Sequence, residues 1–208
     1  MFDHVTFILF LTILATSVMA ASAAIQAVRY EFDYFGAVFL SVITAVGGGS
    51  LRDVLIGIAP VFWLEDQIYL LTSIPVGIIT FFLTKKIDFA TGSKLKLLSL
   101  FDAVGLALFT LIGVKVASAN DLSVMVSVIL GCITGIGGGL LRDVLCGETP
   151  IVLKKDIYAT LSIVGGALYL GLTAYFPDKV SIVIAFLFIA LTRAYFVLYW
   201  PVNMPTKK

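Results

Sequence analysis

Of 208 residues, 60% are hydrophobic and 13% charged, and 14 Lys and Arg stand against 13 Asp and Glu for a formal net charge of +1. A mean hydropathy of +1.08 lies far above that of a water-soluble domain. The chain reads as an integral membrane protein, and the charge carries information through its distribution rather than its sum.

A bilayer-spanning helix needs roughly 20 mostly apolar residues, and the sequence predicts seven of them, at about 5–27, 34–58, 67–84, 97–117, 122–146, 157–176 and 180–200. Backbone groups with no water to bond leave only helical bundles and closed barrels, and runs this long without alternation exclude a barrel. The short loops leave no room for a soluble domain, so residues 1–208 form a single membrane domain. The first span ends in VMAASAA, which resembles a signal-peptide cleavage site, but its leading MFDHVTF lacks Lys and Arg and carries Asp3, so a retained span is expected.

Lys85, Lys86, Lys94 and Lys96 crowd the connection after the third span, Lys154 and Lys155 follow the fifth, and Lys207 and Lys208 end the chain. The positive-inside rule puts these in the cytoplasm. With seven spans the N-terminus then lies outside and the C-terminus inside, Arg29 is cytoplasmic, and Glu65, Asp66, Asp121, Asp178 and Lys179 face outward. Cys132 and Cys146 share the fifth span; fourteen helical residues cover about 21 Å, too far for a disulfide.

The second and fifth spans carry GGGSLRDVLIG at 47–57 and GGGLLRDVLCG at 137–147. Residues 47–60 and 137–150 are identical at ten of fourteen positions, Asp66 matches Asp156 on the same ninety-residue offset, and Pro75 falls opposite Gly165, beside Gly166. The repeat is therefore three helices, about 1–86 and 95–176, with a seventh helix at about 180–200 left over. An odd number of spans per unit makes the two units enter the membrane from opposite sides, as in many transporters and some channels.

Three consecutive glycines lower helix propensity by roughly 1 kcal/mol each, so the helices should bend or break at Gly47, Gly48, Gly49 and at Gly137, Gly138, Gly139. Two readings stand side by side: close helix packing alone, or packing together with a hydrated path. A phosphate-binding loop is excluded by the absence of GK[ST]. Arg52–Asp53 and Arg142–Asp143 place charge inside a span, where it is costly and paired. Helix neighbours point about 100° apart, so each arginine is expected to find its carboxylate on another helix. The pairs either clamp the helices near the two membrane surfaces, or line an ion path, or do both. Asp102 and Lys115 in the fourth span and Arg193 in the seventh are further intramembrane charges, and Ser41, Thr44 and Thr134 supply uncharged oxygens suited to weak, fast cation binding.

GGGSLRD and GGGLLRD, with AVRYEFDYFG at 27–36, PVFW at 60–63, FDAVGLALFTLIGV at 101–114, GETPIVLKKDIYA at 147–159 and the ending from Arg193 through Trp200 and Pro201, resemble the prokaryotic trimeric intracellular cation channels over nearly the whole chain. The resemblance implies an all-α fold of seven transmembrane helices, kinked at the glycine triplets of the second and fifth. It further implies a homotrimer in the inner membrane with one hourglass pore per protomer, passing mainly potassium and sodium. A lysine of the fourth helix is tied to gating in that family; Lys115 is the candidate here, one position before the place that the bacterial pattern gives it, held by Val116. Some bacterial members carry the label of glycine transporters, so a secondary transporter for a small amino acid stands as the alternative. The expected partners are a second and third copy, membrane lipids and the permeating cations, with no nucleic acid, no cofactor and no fixed metal. Enzyme chemistry is not expected: His4 is the sole histidine and neither cysteine has a base beside it.

Overall fold

The computed structural model describes residues 4–87, 93–154 and 157–199. Asp3, Lys155, Asp156, Trp200, Pro201, Lys207 and Lys208, all invoked above, lie outside the described residues, as does the side chain of His4. The chain forms α1 (His4–Arg29), α2 (Tyr34–Ile56), a short α3 (Phe62–Glu65), α4 (Ile68–Lys86), α5 (Ser93–Ala119), α6 (Val124–Leu145), a 3-10 turn (Ile151–Leu153), α7 (Ala159–Thr173) and α8 (Asp178–Tyr199).

Six of these helices are long and apolar enough to cross a bilayer. The sixth expected span, at about 157–176, emerges as the 15-residue α7, which at 1.5 Å per residue covers about 22 Å of a hydrocarbon layer roughly 30 Å thick. Ahead of it the chain leaves the α-helix, and Ile151 and Tyr158 there are buried. Such backbone is tolerated at membrane depth when protein surrounds it.

Packing follows the repeat. In the first unit α1 packs on α2 and α4, and α2 on α4; in the second α5 packs on α6 and α7, and α6 on α7. The units meet through α1 against α5 and α2 against α6, and α8 lies on α5 and α7. Local geometry repeats as well: Glu31 and Asp121, ninety residues apart at the turns that end α1 and α5, both adopt positive φ, of 57° and 58°. Gly57 and Gly147 end α2 and α6 in the left-handed region, with φ of 82° and 69°. That conformation lets the next amide close on the helix, Ile58 onto the Asp53 carbonyl and Glu148 onto the Asp143 carbonyl, each at 2.9 Å.

The glycine triplets do not interrupt their helices. Both α2 and α6 remain helical through all three glycines and for two turns beyond, because the propensity deficit is small against the tertiary contacts that the missing side chains allow. Of the expected bend or break, the continuous helices exclude the break.

Candidate functional site at the crossing of α2 and α6

The triplets meet each other. A Cβ built on Gly48 would stand 2.1 Å from the Thr134 carbonyl oxygen, and one on Gly138 would stand 2.2 Å from the Thr44 carbonyl oxygen. The two contacts are the same contact, exchanged by the ninety-residue offset. A Cβ on Gly137 would stand 2.9 Å from the Gly48 Cα, and one on Gly47 would stand 2.4 Å from the Leu141 side chain. A Cβ on Gly49 would stand 2.5 Å from the Phe62 ring, and one on Gly139 would stand 3.2 Å from Asp102 Oδ1. The faces of Gly48 and Gly138, for which the sequence left close packing and a hydrated path side by side, are taken here by backbone of the opposite helix.

The three hydroxyls nearby bond to backbone carbonyls. Thr44 and Thr134 donate to the carbonyls of Leu40 and Leu130 at 2.7 and 2.6 Å, and Ser41 donates to those of Ala37 and Ala20 at 2.8 and 3.1 Å. Their far sides abut glycines: Gly113 lies against Thr134 and Gly77 against Ser41.

Both Arg–Asp pairs depart from expectation in one respect, since each arginine folds back onto its own neighbour. Arg52 Nε and Nη2 donate to Asp53 Oδ1 at 2.8 and 2.6 Å, and Arg142 Nε donates to Asp143 Oδ1 at 2.9 Å. The long guanidinium stem closes the angle that separates adjacent Cβ atoms, which a shorter cation could not do. The second carboxylate oxygen is then free to order the chain beyond the helix. Asp53 Oδ2 accepts from the Phe62 amide at 2.9 Å, at the start of α3, and Asp143 Oδ2 accepts from the Ile151 amide at 3.0 Å, at the start of the 3-10 turn. An acid is disfavoured near the C-terminus of its own helix, and here it faces the amide end of the next element instead.

The second pair also reaches across helices. Arg142 Nη1 donates to Asp102 Oδ1 at 2.9 Å and to the Ser22 hydroxyl at 2.6 Å, and the Tyr158 hydroxyl donates to Asp102 Oδ2 at 2.6 Å. Arg193 of α8 stacks on the Tyr158 ring, 5.0 Å from its centroid. The first pair has a ring instead of a second acid: Arg52 lies 5.6 Å from the centroid of Phe62. Lys115 is remote from this cluster. At the other end of α5 its Nζ meets Asp178 Oδ2 at 2.5 Å, while the Tyr169 hydroxyl donates to Asp178 Oδ1 at 2.6 Å.

A family model described as Glycine transporter matches the chain twice, over residues 9–85 and 99–174. The chain is 36% identical over 199 residues to the UPF0126 inner membrane protein YadS of Escherichia coli K12, covering 94% of each. It superposes on the crystal structure of the trimeric intracellular cation (TRIC) channel orthologue from Rhodobacter sphaeroides with a TM-score of 0.87 at 33% identity, over 93% of this chain and 98% of that one. The chain belongs to the prokaryotic TRIC family. A prokaryotic TRIC channel crystallised in 0.5 M KCl is equally similar, at 33% identity and a TM-score of 0.87, covering 95% of this chain and 98% of that one. Among family members, YvgT of Bacillus subtilis is 34% identical over 157 residues, 75% of this chain and 76% of that protein.

Within this family member, the structure brings together the six triplet glycines, Thr44 and Thr134, and unites Arg142, Asp143 and Asp102. It leaves Lys115 apart. Ser22, Tyr158 and Asp178 went unread in the sequence as partners of the buried charges. Tyr158 lies within GETPIVLKKDIYA and Asp178 counted as an outer-loop acid, but a single serine in an alanine-rich span carries no signal.

Proposed function

We propose that the protein is a monovalent cation channel, a homotrimer in the inner membrane with one conduction path per protomer, crossing the bilayer seven times with its N-terminus outside. The reading is carried by the reciprocal crossing of Gly48 and Gly138. A pair of helices that touch backbone to backbone at mid-span, flanked by Thr44 and Thr134, can open a path lined by carbonyls and hydroxyls through a small bend at the glycines, with no charge to bury or release. Uncharged oxygens bind cations weakly enough to let them leave. The two Arg–Asp pairs then act as fixed points that hold the ends of α2 and α6 while the glycines flex. Support for cations in particular comes from the TRIC cation channels that the chain resembles at 33% identity. The test is single-channel recording of purified protein in planar bilayers under a KCl gradient: a reversal potential near that of potassium supports the channel, and the absence of unitary current from assembled protein overturns it.

A second reading, a secondary transporter for a small amino acid, is favoured by the description of the matching family model. Uptake of labelled glycine into proteoliposomes that show no unitary current would establish it in place of the channel.

A further inference from the structure

Helical Ser and Thr side chains in a dry interior commonly donate to the carbonyl one turn back. This protein follows the habit at Ser17, Ser41, Thr44, Ser50 and Thr134. Thr16 of α1 and Ser73 of α4 do not. Both are fully buried, and neither hydroxyl oxygen has a hydrogen-bond partner. Buried hydroxyls without partners are costly in apolar surroundings, and two on adjacent helices point to a shared third party.

Their placement brings them to one level. Ser41 of α2 donates to the Ala20 carbonyl at 3.1 Å, and a Cβ on Gly77 would come within 2.7 Å of Ser41 Oγ, so α1, α2 and α4 meet at Ala20, Ser41 and Gly77. Thr16 precedes Ala20 by one turn on the same face, and Ser73 stands in the same relation to Gly77. The antiparallel α2 brings Ala45, with its small side chain, to that layer. The second repeat solves the same problem differently: between α5 and α7 the hydroxyls of Thr110 and Ser162 bond directly at 2.6 Å.

We infer that Thr16 and Ser73 hold one water molecule in the seam between α1 and α4. A buried water takes about 3 hydrogen bonds; the two hydroxyls supply two, and the carbonyl oxygen of Thr12 or Tyr69, one turn back, has a second lone pair for the third. A cation fits less well, since the faces that meet in this layer carry Thr12, Thr16, Ala20, Ser73, Gly77, Ser41 and Ala45, none of them charged. The site belongs to the first repeat alone, because Thr16 and Ser73 correspond to Leu106 and Ile163 in the second.

A map of the wild-type protein at a resolution that shows ordered water tests this directly. The expected result is a peak at hydrogen-bond distance, about 2.7–3.2 Å, from both Thr16 Oγ1 and Ser73 Oγ, absent in Thr16→Val/Ser73→Ala. In thermal unfolding each single variant should lower the Tm, and the double variant should lose no more than the larger single loss, since both side chains serve one water. A map in which the hydroxyls bond each other or their own helix carbonyls, with no peak between them, overturns the inference. Single variants that raise the Tm do so too, and so does an anomalous thallium peak at the site, which would make it a cation site. If the variants fail to assemble, the wild-type map decides alone.

Discussion

Asp102 of α5 and Arg142 of α6 are joined at 2.9 Å in full burial, whereas the residue ninety positions before Asp102 is Thr12, so Arg52 has no such acid from α1. The repeats share a backbone but not a charge plan, and the added acid in the second is met by Tyr158 and by the stack of Arg193 on it. Removing one member of a buried pair leaves the other uncompensated, at about 3–5 kcal/mol. Asp102→Asn should therefore cost several times more stability than Thr12→Val, read as a fall in Tm in the same detergent. Equal losses would show that the cross-helix pair carries no weight.

The crossing glycines give an opposed pair of outcomes. Alanine should gain up to about 1 kcal/mol in helix propensity, but at Gly48 or Gly138 its methyl would meet a carbonyl oxygen at 2.1 or 2.2 Å. Overpacking of this kind costs about 1–3 kcal/mol. Gly48→Ala and Gly138→Ala should lower the Tm or the yield of assembled protein, while Gly171→Ala, where nothing lies within 4 Å, should not. Leucine at Gly48 or Gly138 should abolish assembly rather than merely block current.

Lys115 neutralises Asp178 across 2.5 Å in a half-buried setting. With Lys115→Ala the Asp178 carboxylate is unmasked and draws cations. Single-channel conductance should rise at low ionic strength and return to the parent value at high salt, where screening is strong. Adding Asp178→Asn should cancel the gain. A conductance unchanged at low salt would detach this pair from the conduction path.

The Cys146 thiol, just past the end of α6, is pushed up to about 11, chiefly by burial and against the pull of Arg142. A raised value means that the folded protein holds the proton more tightly, and the thiolate is the reactive form. In a Cys132→Ser background, alkylation of folded protein at pH 7 should be far slower than in denaturant, and should climb about tenfold per pH unit through the alkaline range. Equal rates at pH 7 would place the thiol in water.

Sidedness is open to direct labelling. Asn120, exposed at the turn between α5 and α6, and Lys86, exposed at the end of α4, sit at opposite ends of the bundle. A cysteine at Asn120 should react with an impermeant maleimide added to intact cells, and one at Lys86 should react only after lysis. The reverse pattern would invert the assignment, and equal labelling would mean dual topology.

The sequence by itself determined the helices and the repeat, because hydropathy and identity at a fixed offset are local properties that survive in one dimension. Residues 47–60 against 137–150 pointed to two units, and Glu31 and Asp121, ninety residues apart, share a positive φ. What only the tertiary structure decided is partnership. The missing side chain of Gly48 is equally compatible with a bend, a water path or a contact, and it took the approach of α6 to show that the Thr134 carbonyl fills that space. Arg52 and Asp53 are neighbours in sequence and, against the angle between their Cβ atoms, neighbours in charge as well, because a flexible stem can fold back while a short one cannot. Tyr158 joins Asp102 across 56 residues: its hydroxyl finds the acid only because the chain before α7 is held inside the bundle, and no period in the sequence encodes that.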